Sequence, residues 1–271
     1  MLRVLVAGGD KRSKLLAKQL AEDGFLVETL GLEPEQKGSA EPADVVLLPY
    51  PFSVKNGYVP ALTDEKIRPQ DLLKRLAPNA LVIAGRGIEG YITQENVRIK
   101  RYMDAEGLEE QNAELSAEAA VCEAMLHCRL ALMDAKVLVT GYGLFGRLLA
   151  LRLKSFGARV WVAARRERQR EQAVREGMNA IPIHEIADVL PQMDLVLNTV
   201  PACVMDESAL RRVPKGCCLL ELASAPYGFD FEKAKLLGVS CVALPGLPAR
   251  YSPLSAALRL KNAVKPWLQE A

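Results

Sequence analysis

The sequence predicts an α/β chain: two doubly wound, mostly parallel sheets joined by a long helix. Three observations carry this reading. Apolar runs alternate with amphipathic stretches almost from end to end, the pattern of a parallel sheet with helices on both faces. Glycines follow an apolar run at Gly8-Gly9 and again over 141–146. The 271 residues exceed one ordinary domain, which predicts two domains with a cleft between them. A composition 50% hydrophobic and 25% charged excludes a disordered, collagenous or coiled-coil chain.

Taken in order, residues 4–7 are a strand, 13–23 a helix and 25–30 a second strand. Further strands are expected at 45–49 and 80–84, with a shorter one at 97–102. Pro49, Pro51, Asn56, Gly57 and Pro60 mark a long loop after the third strand, a length associated with function or mobility. Residues 114–133, rich in Ala, Leu, Met and Glu, read as one long helix. A second series of strands follows at 136–140, 159–163, 179–183, 194–200, 217–222 and 240–243, closed by a helix over 255–268. The expected division is 1–113 as a substrate domain, 114–135 as the interdomain helix, 136–251 as a nucleotide domain, and 252–271 packing back towards the cleft.

Charge and cysteine content narrow the function classes. The net charge of +2 is too small for a nucleic-acid binder. It hides an asymmetry. Residues 1–125 hold 15 Lys and Arg against 20 Asp and Glu, and residues 126–271 hold 20 against 13; a basic second half suits an anionic cofactor. No signal peptide and no apolar run of about 20 residues is visible, so a cytoplasmic protein is expected. Six cysteines are too sparse for a disulfide framework, and Cys203, Cys217, Cys218 and Cys241 read as buried thiols. No metal is expected: offsets of five and six residues put Cys122 on a different helix face from His127 and Cys128.

The sharpest motif is Gly141-Tyr142-Gly143-Leu144-Phe145-Gly146. It follows an apolar strand, opens a predicted helix over 147–156 and leads to another strand, the context a dinucleotide fingerprint needs. Gly141 permits the tight turn, Gly143 lets backbone N–H groups approach a pyrophosphate, and Gly146 lets helix and strand pack closely. A carboxylate at the end of the next strand would bind the ribose 2′-hydroxyl. Here stand Ala164-Arg165-Arg166, with Arg168 and Arg170 behind. A guanidinium binds a 2′-phosphate bidentately, so NADP is expected ahead of NAD. A solvated basic helix face accounts for Arg168 and Arg170.

Asn198-Thr199-Val200-Pro201, the stretch with Ala223 and the stretch with Pro245 end the following strands. Each is a candidate lining of the nicotinamide side, or a plain strand-end turn. The acid–base inventory is thin. His127 falls within the long helix and His184 in a region of ordinary packing, which leaves Glu118, Ser224, Asp230 and Tyr251. If Ser116 caps the long helix, Glu118 lies in its first turn, either complementing the helix dipole or transferring a proton. Arg86 and Arg250 are candidate clamps for substrate carboxylates or plain surface cations.

At these residues the chain resembles the A subunits of the dipicolinate synthases of spore-forming bacteria. The shared features are Val6-Ala7-Gly8-Gly9-Asp10-Lys11-Arg12, Asn112 with Glu118, the Gly141–Gly143–Gly146 turn with Ala164-Arg165, Asn198-Thr199-Val200-Pro201, Leu222-Ala223-Ser224 with Pro226, Asp230-Phe231 and Leu244-Pro245-Gly246-Leu247-Pro248. The chain departs from that pattern in the bulky stretch over 49–53, at Tyr227 and at Ala249. The resemblance implies two Rossmann-like domains, the first flavodoxin-like. It implies NADP-linked conversion of 4-hydroxy-tetrahydrodipicolinate, from the lysine pathway, into dipicolinate during sporulation, with the flavoprotein-like B subunit of dipicolinate synthase as partner. A dianionic substrate suits Arg12, Arg86 or Arg250, with Glu118 or Ser224 assisting proton transfer. Two other readings stay open: another NADP-linked dehydrogenase of small carboxylates, and a non-catalytic nucleotide-binding protein that organises the B subunit.

Overall fold

The computed structural model describes residues 1–34, 41–85, 87–92 and 96–271. The chain divides into two compact units, Met1–Asn112 with Pro248–Ala271, and Ala113–Leu247.

In the first unit, β1 (Arg3–Ala7), α1 (Lys11–Glu22), β2 (Leu26–Leu30), β3 (Ala43–Leu47), α2 (Pro69–Leu72), β4 (Leu76–Ala84) and β5 (Arg98–Arg101) follow one another. The sheet order is β2-β1-β3-β4-β5 with every pairing parallel, the flavodoxin-like order. The strands are apolar runs because helices cover both faces of such a sheet: Leu5, Val45, Val46 and Leu47 are fully buried. Asp10 starts α1 by accepting the Arg12 backbone N–H at 2.9 Å. The loop after β3 carries two isolated antiparallel bridges, Lys55 with Tyr58 and Val59 with Ile67.

The long helix α3 (Leu108–His127) leads into the second unit. There follow β6 (Lys136–Thr140), α4 (Leu144–Ser155), β7 (Arg159–Ala164), α5 (Glu167–Arg175), β8 (Asn179–Pro182), α6 (Ile186–Val189), β9 (Leu195–Asn198), α7 (Glu207–Leu210), β10 (Cys218–Glu221), α8 (Phe231–Leu236) and β11 (Ser240–Ala243). The order is β11-β10-β9-β6-β7-β8, again parallel throughout. Strand order reverses between β6 and β9, and ligands of such sheets bind beyond the carboxyl ends of the strands at that point.

The chain ends in α9 (Leu247–Tyr251) and α10 (Pro253–Gln269). Ala257, Leu260, Val264 and Leu268 of α10 lie three or four residues apart and join Leu16, Ala17 and Leu20 of α1 in one core. Lys261 and Lys265 reach Asp23, the residue that ends α1, at 3.0 and 3.3 Å.

Several expected boundaries move. The long helix starts at Leu108 behind Gly107 (φ +72°) and ends at His127, so it neither begins at residue 114 nor reaches 133. Glu109 and Glu110 in its first turn and His127 in its last complement the dipole of this longer helix. Ser116 is therefore no cap, and Glu118 sits mid-helix with an exposed side chain. The strand expected at 80–84 begins earlier, at Leu76, across a register shift between Ala43 and Val45 of its partner. Cys203, read as a buried thiol, is exposed because it lies in the irregular segment after β9. Among the described residues no helix is long and apolar enough to cross a membrane.

Candidate functional site

The glycine-rich turn leaves the carboxyl end of β6, beside the point where strand order reverses. Its three glycines answer to different demands. Gly141 holds φ +88° and donates its N–H to the Ala163 carbonyl at 2.8 Å. A Cβ there would stand 2.6 Å from Thr199 Oγ1 and 2.9 Å from Val200 Cγ2. At Gly146 a Cβ would overlap the Gly141 carbonyl oxygen, so helix α4 approaches the turn only with glycine there. At Gly143 nothing lies within 4 Å of where a Cβ would stand. Gly143 is the residue preceding α4, exposed, with no side chain to cap the first N–H groups. The protein's own packing thus explains two glycines and leaves an open approach at the third, at a helix N-terminus. These residues fit a dinucleotide pyrophosphate. Leu144 is 40% exposed at the start of α4, while half-buried Phe145 packs against the core.

A clamp behind the turn holds it in place. Tyr142 is buried and donates its hydroxyl to Glu176, the residue ending α5. Arg147 Nε donates to Glu176 Oε1 at 2.8 Å, and Gln172 Nε2 to the same oxygen at 3.1 Å. Gln169 Nε2 donates to the Tyr142 carbonyl at 3.0 Å. Partial burial alone would raise the Glu176 carboxyl, but the bonds from Arg147, Tyr142 and Gln172 bring it down to about 2. Burial, joined by the Glu176 bond, pushes the Tyr142 phenol up. The turn and α5 are therefore tied together through one carboxylate.

Arg165 and Arg166 stand at the carboxyl end of β7, both exposed, with Arg166 immediately preceding α5. Arg170 is not the solvated cation expected of it. Its Nη1 donates to the carbonyls of Ala164 at 3.1 Å and Arg165 at 2.9 Å, pinning the backbone that carries Arg165.

At the ends of β9 and β10 a buried polar network takes over. Asn198 is fully buried, and its Nδ2 donates to Glu221 Oε1 at 2.7 Å and to the Val200 carbonyl at 2.9 Å. Its Oδ1 accepts the Val200 N–H at 3.1 Å and the Thr140 hydroxyl. With both amide protons and both lone pairs engaged, the Asn198 side chain has none left for a nicotinamide or ribose. It shapes the turn instead, the second of the two readings open for this stretch. Thr199 donates its hydroxyl to the Thr140 carbonyl at 2.7 Å; Val200 is half-buried and Pro201 exposed beyond it. Glu221 also accepts the N–H groups of Ala223 at 2.9 Å and Gly228 at 2.7 Å, and burial raises its carboxyl against those bonds. These contacts anchor the 222–228 loop, on which Ser224 is exposed. Pro245 is exposed past the end of β11.

The remaining candidates divide between the two units. Arg12 is buried at the start of α1, its Nη2 on Asp10 Oδ2 at 2.7 Å and its Nε on Asp10 Oδ1 at 3.0 Å, so much of its charge is answered locally. Arg86 lies outside the described residues. Arg250 is exposed, its guanidinium 5.7 Å from the Tyr251 ring centre. Asp230 accepts the N–H groups of Glu232 and Lys233 at 2.9 and 3.1 Å, both on Oδ1, which makes it the cap of α8. Glu176, Glu221, Thr140 and Tyr142 were not singled out from the sequence for these contacts. For Glu221 a signal existed, a lone carboxylate inside the apolar run 217–222.

Comparisons with known proteins agree with this architecture. Residues 3–103 match the family model of the N-terminal domain of the dipicolinate synthase A subunit. Residues 105–226 match the NAD-binding domain of D-isomer specific 2-hydroxyacid dehydrogenases, so the second unit carries a dehydrogenase-type dinucleotide-binding domain. The chain is 24% identical to the dipicolinate synthase A subunit of Bacillus subtilis over 288 aligned positions, 99% of this chain and 96% of the relative. Its fold matches the crystal structure of the corresponding Bacillus halodurans protein with a TM-score of 0.87 at 24% identity, covering 100% of this chain and 98% of the other. The Bacillus subtilis structure gives 0.83 at 23% identity, over 99% of this chain and 96% of that one. In sequence over its whole length, in its N-terminal family model and in its fold, the chain is similar to the dipicolinate synthase A subunits.

Proposed function

We propose that this chain is the dehydrogenase component of a dipicolinate-forming enzyme, oxidising and dehydrating 4-hydroxy-tetrahydrodipicolinate with NADP. The observation that carries the cofactor choice is the carboxyl end of β7, where exposed Arg165 and Arg166 stand in place of a carboxylate, beside a glycine turn left open at Gly143. Support for the substrate comes from the full-length similarity to a dipicolinate synthase A subunit. NADP, when bound, supplies the hydride acceptor. The rest falls to the chain's own residues. Gly143 and the first N–H groups of α4 receive the pyrophosphate, and Arg165 with Arg166 answers the 2′-phosphate. Thr199, Val200, Pro201, Ala223 and Pro245 bound the nicotinamide side. Loss of water and of a hydride with a proton leaves an aromatic pyridine, so one modest proton-transfer group suffices. Ser224, exposed on the loop that Glu221 anchors, is the first candidate; Glu118, exposed on α3, is the second. With Arg12 paired to Asp10, residues 1–113 supply substrate recognition through Arg86, with Arg250 from the C-terminal segment. The working partner is the B subunit of the synthase, in the cytoplasm of a spore-forming mother cell.

The test mixes the purified chain with enzymatically generated 4-hydroxy-tetrahydrodipicolinate and NADP, with and without the B subunit. Pyridine absorbance and NADPH are followed together. Both are expected to rise only when this chain is present. Arg165→Asp is expected to raise KM for NADP at least about tenfold, the loss of one charge-assisted contact, with a smaller effect on NAD. Dipicolinate forming at an unchanged rate without this chain would remove the catalytic reading.

A further inference from the structure

At the amino-terminal edge of the second sheet, where β9 and β10 begin, a pocket of about 400 Å³ opens. It lies at the opposite end of the strands from the glycine-rich turn. Strands of four or five residues separate the two edges, about 13–17 Å at roughly 3.3 Å per residue. The pocket joins two cations, Arg129 and Lys215, to apolar walls from Leu130, Met193 and Pro214. Both cations are exposed, and among the described residues neither carries an ion pair or a side-chain hydrogen bond.

The wall is shaped around one of them. Residues 214–217 form a turn closed by the Cys217 N–H on the Pro214 carbonyl at 3.1 Å, with Gly216 at φ +93°. A Cβ on Gly216 would overlap Arg129 Nη1 and stand 3.0 Å from its Cδ and Cζ. The turn is bare where the guanidinium rests, which leaves room for that cation at the pocket mouth. Gln192 adds a donor: Lys136 Nζ occupies its Oε1 at 3.2 Å, so its amide N–H groups are what it offers the pocket. The one carboxylate in the lining, Asp194, accepts the Lys136 backbone N–H at 2.8 Å.

We propose that this pocket is a second binding site, for a small carboxylate with an apolar body. The volume falls at the small end of ligand pockets, too small for a dinucleotide. Two cations and an amide donor suit an anion; Met193 is already buried, and the exposed surface of Leu130 with half-buried Pro214 is covered only by a ligand that also carries an apolar surface. A bare inorganic anion would leave those walls wet.

The experiment is calorimetric titration of the full chain with isophthalate, a flat dicarboxylate, and in parallel with inorganic phosphate. Backbone amide shifts of Gly216 and Cys217 locate the binding. Saturable isophthalate binding is expected, weakened at least about tenfold by Arg129→Gln and unchanged by Arg165→Asp at the opposite edge. Lys215→Gln, in an exposed turn, gives the same answer should Arg129→Gln melt early. The proposal is overturned if isophthalate does not saturate, if Arg165→Asp abolishes binding that Arg129→Gln and Lys215→Gln leave intact, or if phosphate binds as tightly.

Discussion

Gly143 and Gly146 lie in the same turn, three residues apart, yet a methyl group meets different surroundings at each. At Gly146 the obstacle is the Gly141 carbonyl, backbone that is itself held by the bond to Ala163. Gly146→Ala is therefore expected to cost about 1–3 kcal/mol, the range for forced overpacking, read as a lowered melting temperature without any ligand. At Gly143 the φ of −77° suits any residue and the space is open. Gly143→Ala is expected to melt with the parent while binding NADP about tenfold more weakly. Equal NADP affinity in that variant would show that the open space is not where a pyrophosphate sits. Arg165 belongs to the same scale. Its value as a phosphate ligand rests on a free guanidinium on a fixed backbone, and Arg170 supplies the fixing through the Ala164 and Arg165 carbonyls.

Between elements, single carboxylates make the long connections. Glu176 ties the glycine turn to the end of α5 through Tyr142 and Arg147, and Glu221 ties β10 to β9 and to the 222–228 loop through Asn198 and Gly228. The Glu176 carboxyl falls from the ordinary value of 4.5 to about 2. A lowered folded-state value adds stability that is present above the ordinary value and lost as pH falls through the folded one. The melting-temperature gap between the parent chain and Glu176→Gln should thus hold at neutral pH and shrink between about pH 4.5 and about pH 2. A gap independent of pH across that window would mean that the clamp does not rest on the Glu176 charge. The same clamp predicts a binding effect without direct contact: Glu176→Gln should raise KM for NADP while kcat moves little, since the turn loosens but the groups facing the substrate stay. These connections were illegible in the sequence because their partners are 23, 29, 34 and 58 residues apart. Composition and spacing report local periodicity, and no periodicity marks which buried carboxylate meets which turn.

The alternation of apolar runs with amphipathic stretches was enough to place both parallel sheets, since a strand covered on both faces must be apolar along its length. The glycine spacing placed the turn for a related reason, because a positive φ at Gly141 and the close approach of backbone at Gly146 exclude a side chain there. Boundaries and side-chain roles were less accessible: the start of α3 depends on Gly107, and Arg12 reads as a free clamp until its pairing with Asp10 is seen. What the linear order hides most is that the last helix completes the first unit. Val264 is fully buried among Leu16, Leu20 and Leu260, so an aspartate there would place an unpaired charge in the core that α10 shares with α1. Val264→Asp is expected to raise amide hydrogen exchange across Met1–Asn112 and Pro248–Ala271. The sheet β6–β11 holds a core of its own, with Val137, Val139, Leu149 and Leu195 fully buried. Its exchange protection, and the NADP affinity of its glycine turn, should stay within about twofold of the parent, a difference under about 0.5 kcal/mol. Loss of protection in both units together would show one cooperative body, and would mean that the two cores do not open independently.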